Sequence, residues 1–280
     1  MRLPPLFIQI RLLLRYLGFY RQAKTKYDID SPFVSSFIQE IIEDKRSFYA
    51  FSLIQWLRRQ LRQDKRVLQI KDHGAGSLIA RSNTRSVRHI AQHGAISDRQ
   101  GRYLFRMAHF YHPPIILELG TSLGISSLYL ALADSRQQLI TVEGSPDIAE
   151  RAAETFFQLR IPNVSLIQDT FDQAIAEISK ENLRLGLVYL DGDHRKGSSL
   201  RYFKQLLPLL EDTSILVIAD IYWSREMQVA WKEIKQHPRV SVAIDLFDFG
   251  VLFFDPGMRE KLDLKVVPAK YKPWRIGLFR

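Results

Sequence analysis

Two carboxylates and two glycines stand where an α/β chain builds a ligand site. In Ile116-Leu117-Glu118-Leu119-Gly120-Thr121-Ser122-Leu123-Gly124-Ile125-Ser126, an apolar run carries Glu118 near its end, turns at Gly120 and passes into a helical pattern after Gly124. Glycine there lets the backbone approach a bound molecule where a Cβ would intrude. Ligands of open α/β sheets lie beyond the carboxyl ends of the strands. A dinucleotide turn expects G-x-G-x-x-G, with a pyrophosphate on the helix N-terminus. The spacing here is E-x-G-x-x-x-G, which disfavours a nicotinamide oxidoreductase, and the acid suits a cationic ligand. Roughly twenty residues past the glycine turn, Leu139-Ile140-Thr141-Val142-Glu143-Gly144 ends in a second acid, placed to accept both hydroxyls of a ribose. Glu143 alone says nucleoside; the pair of motifs says more.

The elements that must position these residues follow from periodicity. Ile115–Leu119, Leu139–Val142, Val164–Ile167, Leu185–Leu190 and Ile215–Ala219 are short apolar runs. Between them, helical patterns start at Ile125, Pro146, Phe171 and Ser198 (to Leu210), and a last one spans Ser224 to Gln236. Such alternation predicts a parallel sheet covered on both faces. Val240–Phe247 and Phe249–Phe254 have no room for a helix between them and predict an antiparallel hairpin. Upstream, Ser31-Pro32 predicts a capped helix start, a second helix runs from Ser47 to Arg62, and Ser97-Asp98 opens a third that Pro113-Pro114 stops. Residues 63–96 read as mostly loop. The expected architecture is α/β: a Rossmann-like, mostly parallel sheet with a C-terminal antiparallel hairpin, plus an N-terminal helical extension. The expected divisions are 1–96, 97–255 and a basic tail, 256–280, left without secondary structure.

These motifs resemble the class I S-adenosylmethionine-dependent methyltransferases, specifically the catechol and caffeoyl-CoA O-methyltransferase group, over residues 93–254. Leu117 to Ser126 matches the first cofactor motif of that group and Val142-Glu143 its ribose motif. Tyr189-Leu190-Asp191-Gly192-Asp193-His194 resembles the fourth-strand motif, and Val217-Ile218-Ala219-Asp220 the fifth. The resemblance implies S-adenosylmethionine held by Glu118, Gly120, Thr121, Ser122, Gly124 and Ser126, with Glu143-Gly144 at the ribose. Asp169, Thr170, Phe171 and Asp172 would lie along the adenine edge, with Asp191 beside the cofactor; Asp169 replaces the usual glycine. The whole chain is similar to a narrower bacterial group through Ser31-Pro32-Phe33, Gly74 to Ser77 and Asp220-Ile221-Tyr222-Trp223.

Cation-dependent relatives hold a divalent ion with two aspartates and an asparagine. Asp191 and Asp220 match the first two, while Ile221 replaces the third. Two carboxylates could still hold magnesium, whose ligands are oxygens and waters, and Asp193 could assist. Asp191, His194 and Asp220 are the catalytic candidates. The imidazole of His194, where those relatives have lysine, could accept a proton from a hydroxyl nucleophile, and Arg195 or Lys196 could orient an acidic substrate. The implied activity is methyl transfer to an oxygen of a small-molecule acceptor. Alternatives are an RNA methyltransferase, or a degenerate fold acting as an interaction module.

Composition bounds the rest. The 280 residues contain no cysteine, which removes disulfide, thiolate-metal and cysteine-nucleophile chemistry and fits the cytoplasm. The net charge of +10 is uneven: residues 1–110 carry 20 Lys/Arg against 8 Asp/Glu. A basic extension could meet nucleic acid, although no RNA-binding motif accompanies it, or anionic lipid. Within the apolar stretch Leu3 to Tyr20, the run Leu12-Leu13-Leu14 is too short and too charged to span a bilayer, and the stretch reads as an amphipathic helix packing on the body, with peripheral membrane contact as its alternative. The apolar N-terminal helices could equally serve a homodimer. Asp72 to Ser77 reads as a loop folding over the site.

Overall fold

The computed structural model describes residues 6–70, 84–258 and 260–275. Its N-terminal part is helical. α1 (Leu6–Gln22) is followed by α2 (Pro32–Phe37), which continues through a π turn at Ile38–Ile42. Ser31 caps α2 by accepting the Val34 amide hydrogen bond, and Pro32 takes the first helical position, where its missing N–H is no loss. α3 (Tyr49–Gln63) begins two residues later than the sequence pattern suggests.

Within 63–96, the described residues carry more secondary structure than expected. β1 (Val67–Gln69) and β2 (Thr84–Ser86) pair antiparallel, and α4 (Val87–His93) follows with Ser86 as its cap. Only Val87, Ile90 and Ala91 of α4 are buried, so its helical period is drowned by charged and polar neighbours. The Asp72 to Ser77 segment lies outside the described residues. α5 (Asp98–Tyr111) opens on a capping box: Ser97 Oγ accepts the Gln100 amide, and Gln100 Oε1 accepts the Ser97 amide at 2.8 Å.

The alternating units then follow: β3 (Ile115–Leu119), α6 (Ile125–Ala131), β4 (Gln138–Glu143), α7 (Pro146–Gln158), β5 (Val164–Gln168) and α8 (Phe171–Lys180). β6 (Leu185–Leu190), α9 (Lys196–Leu206), β7 (Leu210–Ala219), α10 (Arg225–Ile234), β8 (Val242–Asp245) and β9 (Phe249–Phe253) complete them. The expected helix from Ser198 to Leu210 starts two residues earlier and stops at Leu206. Pro208, which cannot donate in a helix interior, sits in the 3-10 turn that follows. The tail is not bare: β10 (Leu262–Lys265) adds to β8 in parallel. The sheet order is β10-β8-β9-β7-β6-β3-β4-β5. β3 to β7 are parallel, and β9 runs antiparallel to both β7 and β8.

The two faces of the sheet are read off β3 and β6 by alternation. Ile116, Leu187 and Tyr189 face a core shared with α2 to α6, whereas Leu117, Leu119, Val188 and Leu190 face α8, α9 and α10. Phe37, Ile41, Ile54 and Leu61 of the N-terminal helices are spent in this same core. Full burial of each such apolar side chain is worth about 1.5–3 kcal/mol, and the same burial along β3 and β6 fixes the strand register. A one-residue slip would exchange the faces of every side chain on the strand, turning Glu118 toward the apolar α8–α10 side.

Candidate active site

The chain crosses from the β5 edge of the sheet back to β6 beside β3, so the switch point lies at the carboxyl ends of β3 and β6. A cleft of about 550 Å³ opens there, where open α/β sheets bind ligands. Gly120 has φ +114° and Gly124 φ +78°, and Ser122 between them has φ +48°. A Cβ on Gly120 would stand 2.1 Å from the Asp191 carbonyl oxygen, so the two strand ends can meet only with glycine at that position. The turn presents the Ser122 amide to Glu143 Oε2 at 2.9 Å, and Ser145 donates its amide to Oε1, also at 2.9 Å. A carboxylate oxygen can accept more than one hydrogen bond.

Glu118 sits behind this turn. Its side chain is wholly buried on the α6 face, where Ser127 and Thr141 (2.6 Å) both donate to Oε2, and Thr141 also bonds Thr121 at 2.6 Å. Oε1 is buried with no hydrogen-bond partner among the described residues. Burial pushes the carboxyl up to about 7, against the lowering effect of the hydroxyls of Ser126, Ser127 and Thr141.

A second cavity, about 360 Å³, adjoins the first, and both are bounded by Asp191, His194 and Arg85. Asp191 Oδ2 accepts the buried Tyr189 hydroxyl at 2.8 Å. His194 Nε2 stands 3.8 Å from Asp191 Oδ1 and 3.5 Å from Asp220 Oδ2. Asp220 has φ +56°, and its amide donates to the Asp248 carbonyl, which turns its side chain toward His194. Burial raises the Asp220 carboxyl to about 6; His194 opposes the rise, while Asp191 and Asp248 add to it. With 42% of that side chain still open, solvent tempers the effect.

Of the residues singled out in the sequence, Gly120, Thr121, Ser122, Ser126, Glu143 and Gly144 line the cleft at β3 and β4. Asp169, Thr170, Phe171 and Asp172 line it beyond β5, and Asp191 beyond β6. Glu118 and Gly124 lie behind the wall and shape the turn. Ile221 is fully buried among apolar side chains, so nothing at that position reaches the carboxylates. Arg195, which lines the cleft, pairs with Asp193, and Lys196 pairs with Glu233. Asp193 is itself held below the usual carboxylate range: Arg195, Ser198 and Arg201 outweigh its burial. Sequence reasoning missed Arg85, His89 and His93, which β2 and α4 bring to the second cavity. It also missed Ser127 and Thr141; Thr141 is directly opposite Glu118 in the β3–β4 register.

A family model described as a methyltransferase domain matches residues 117–221, from β3 to the residue after Asp220. Solved structures match over nearly their whole length. An SAH-bound methyltransferase from Podospora anserina is 15% identical with a TM-score of 0.56, covering 81% of this chain and 97% of its own. This is a methyltransferase fold. An O-methyltransferase from Bacillus cereus, in complex with SAH, gives 16% identity and a TM-score of 0.53 over 79% of this chain and 96% of its own. The O-methyltransferase TomG from Streptomyces achromogenes, in complex with SAM, gives 17% and 0.54 over 75% and 91%. A search of curated protein sequences finds no match. The likeness is one of class I S-adenosylmethionine-dependent methyltransferase fold. Helices α1 to α5 precede the segment matched by the family model, and α2 to α5 contribute to the core on one face of the sheet.

Proposed function

We propose that the protein transfers a methyl group from S-adenosylmethionine to an oxygen of a small-molecule acceptor. The observation that carries this reading is the pair of adjoining cavities divided at Asp191 and His194: a nucleoside-sized cleft on one side, a smaller pocket on the other. The residues fit the cofactor. Glu143, fixed by two backbone amides, takes the ribose hydroxyls; the Gly120–Gly124 turn leaves room for the amino acid part; Phe171 walls the adenine end. Bound S-adenosylmethionine would supply an electrophilic methyl on a sulfonium. Glu118 contributes a buried carboxyl whose ionised form a nearby cation favours.

Methyl transfer needs the acceptor oxygen in line with the sulfur–methyl bond, and placing it there is the main work of the pocket. His194 takes the hydroxyl proton at Nε2, which stands 3.8 Å from Asp191 Oδ1 and 3.5 Å from Asp220 Oδ2. The same three side chains fit a divalent cation, since one ligand atom from each lies within 4.8 Å of the others. An imidazole among two carboxylates suits manganese, iron, cobalt or zinc better than magnesium, which prefers oxygen donors. Such an ion would supply Lewis acidity to an acceptor hydroxyl and would occupy the nitrogen that otherwise serves as base.

The test is turnover of methyl-labelled S-adenosylmethionine against phenols, catechols, hydroxy acids and amines, with and without chelator, for wild type and His194→Gln. A labelled methyl ether is expected, with His194→Gln slower by about 10²-fold or more at neutral pH. Label confined to amines would overturn the oxygen assignment.

A further inference from the structure

Helix α1 carries more exposed apolar surface than its packing accounts for. One side is anchored: Phe19 is buried against Tyr222 and Phe247, Tyr16 packs edge-on against Phe247 at 5.0 Å, and Arg15 donates to the Tyr222 and Trp223 carbonyls. The other side is a stripe at i, i+3, i+4 and i+7: Ile10, Leu13, Leu14 and Leu17, exposed by 46, 56, 62 and 52%. Arg21 continues it one turn later, and Arg11 lies on its flank; both are exposed. The first 27 residues contain six Lys/Arg and no Asp or Glu. Close by, Tyr20 donates its hydroxyl to the Tyr271 carbonyl, and three residues further on Trp274 is 63% exposed.

We propose that this face of α1 is a docking surface for an anionic lipid bilayer, with the helix lying in the membrane plane. An apolar stripe bordered by cations, with an exposed tryptophan beside it, is the pattern that buries its apolar side at the acyl boundary and sets its charges among headgroups. No described helix is long and apolar enough to cross a membrane, which fits an in-plane position. Charge selects the occupant. A second copy packed stripe to stripe would bring arginines against arginines with no acid from either α1 to pair them, and like charges across an interface are costly. An anionic surface attracts each of them. Through Arg15, on the side away from the stripe, the helix is fastened to the turn that follows Asp220, whose Trp223 lines the second cavity.

The experiment is sedimentation of the full-length protein with phosphatidylcholine vesicles, with and without phosphatidylglycerol, at low and high salt. Wild type is expected to partition at least about tenfold more strongly onto the anionic vesicles, and high salt should weaken this. The Leu13→Glu/Leu14→Glu variant should lose about tenfold or more of that partitioning, with melting temperature unchanged because neither side chain is packed. Arg11→Gln/Arg21→Gln should lose the preference for anionic lipid while keeping its fold. Absence of partitioning by wild type, or equal partitioning by the leucine variant, overturns the proposal. So does a wild-type dimer, dissolved by the leucine variant, in a protein that ignores vesicles: that outcome assigns the face to a second copy.

Discussion

Replacing Glu118 by Gln removes one buried ionisable group while keeping its shape. The amide oxygen can take the place of Oε2 and still accept from Ser127 and Thr141. In the folded protein the carboxyl titrates at about 7, against 4.5 for an ordinary glutamate. Between those pH values the native state holds a proton that the unfolded chain has released, so stability falls as pH rises, by about 1.4 kcal/mol per pH unit. The contribution is full below 4.5 and gone above 7. Wild type should therefore lose about 2–3 kcal/mol more than Glu118→Gln between pH 5 and pH 8. Urea unfolding at both pH values, with the slope m checked for constancy, reads this as a difference of differences in which every other titrating group cancels. Any fixed cost of the amide appears equally at both pH values and drops out. Parallel pH dependence of the two proteins would refute the reasoning, because it would mean that Glu118 is not held protonated by burial.

Three further outcomes are expected. Gly120→Ala combines a left-handed φ with a Cβ 2.1 Å from the Asp191 carbonyl, and should cost more than about 2 kcal/mol in urea unfolding; a neutral result would contradict the turn geometry. Ser31→Ala removes the cap of α2 and should cost about 1 kcal/mol, read by the same titration. Cobalt added to the full-length protein should give a visible absorption band that Asp220→Asn weakens about tenfold or more; an unchanged spectrum on cobalt addition would remove the metal from the account.

Much of this arrangement was legible in the sequence, for identifiable reasons. The inner parallel strands β3, β4 and β6, and the second half of β7, are buried on both faces, so they appear as apolar runs, and the acids Glu143, Asp191 and Asp220 stand out where those runs stop. The parity of Glu118 with Ile116 already places it on the α6 face, which is why it is buried behind the turn; its residue type drew attention to the ligand instead. β10 escaped notice because Leu262-Asp263-Leu264-Lys265 alternates on a sheet edge and finds its partner in β8 some twenty residues earlier. α4 escaped because three buried residues in seven leave little period to see. The approach of His194 to Asp220 is a tertiary fact: it depends on β6 and β7 being neighbours, which strand spacing alone does not dictate.

The most direct test of the central claim is calorimetric titration of the full-length protein with S-adenosylhomocysteine, beside Glu143→Ala. The account predicts micromolar binding by wild type, weakened about 10²-fold in the variant, since two hydrogen bonds to a charged acceptor are lost. No binding by wild type, or equal binding by Glu143→Ala, would contradict it.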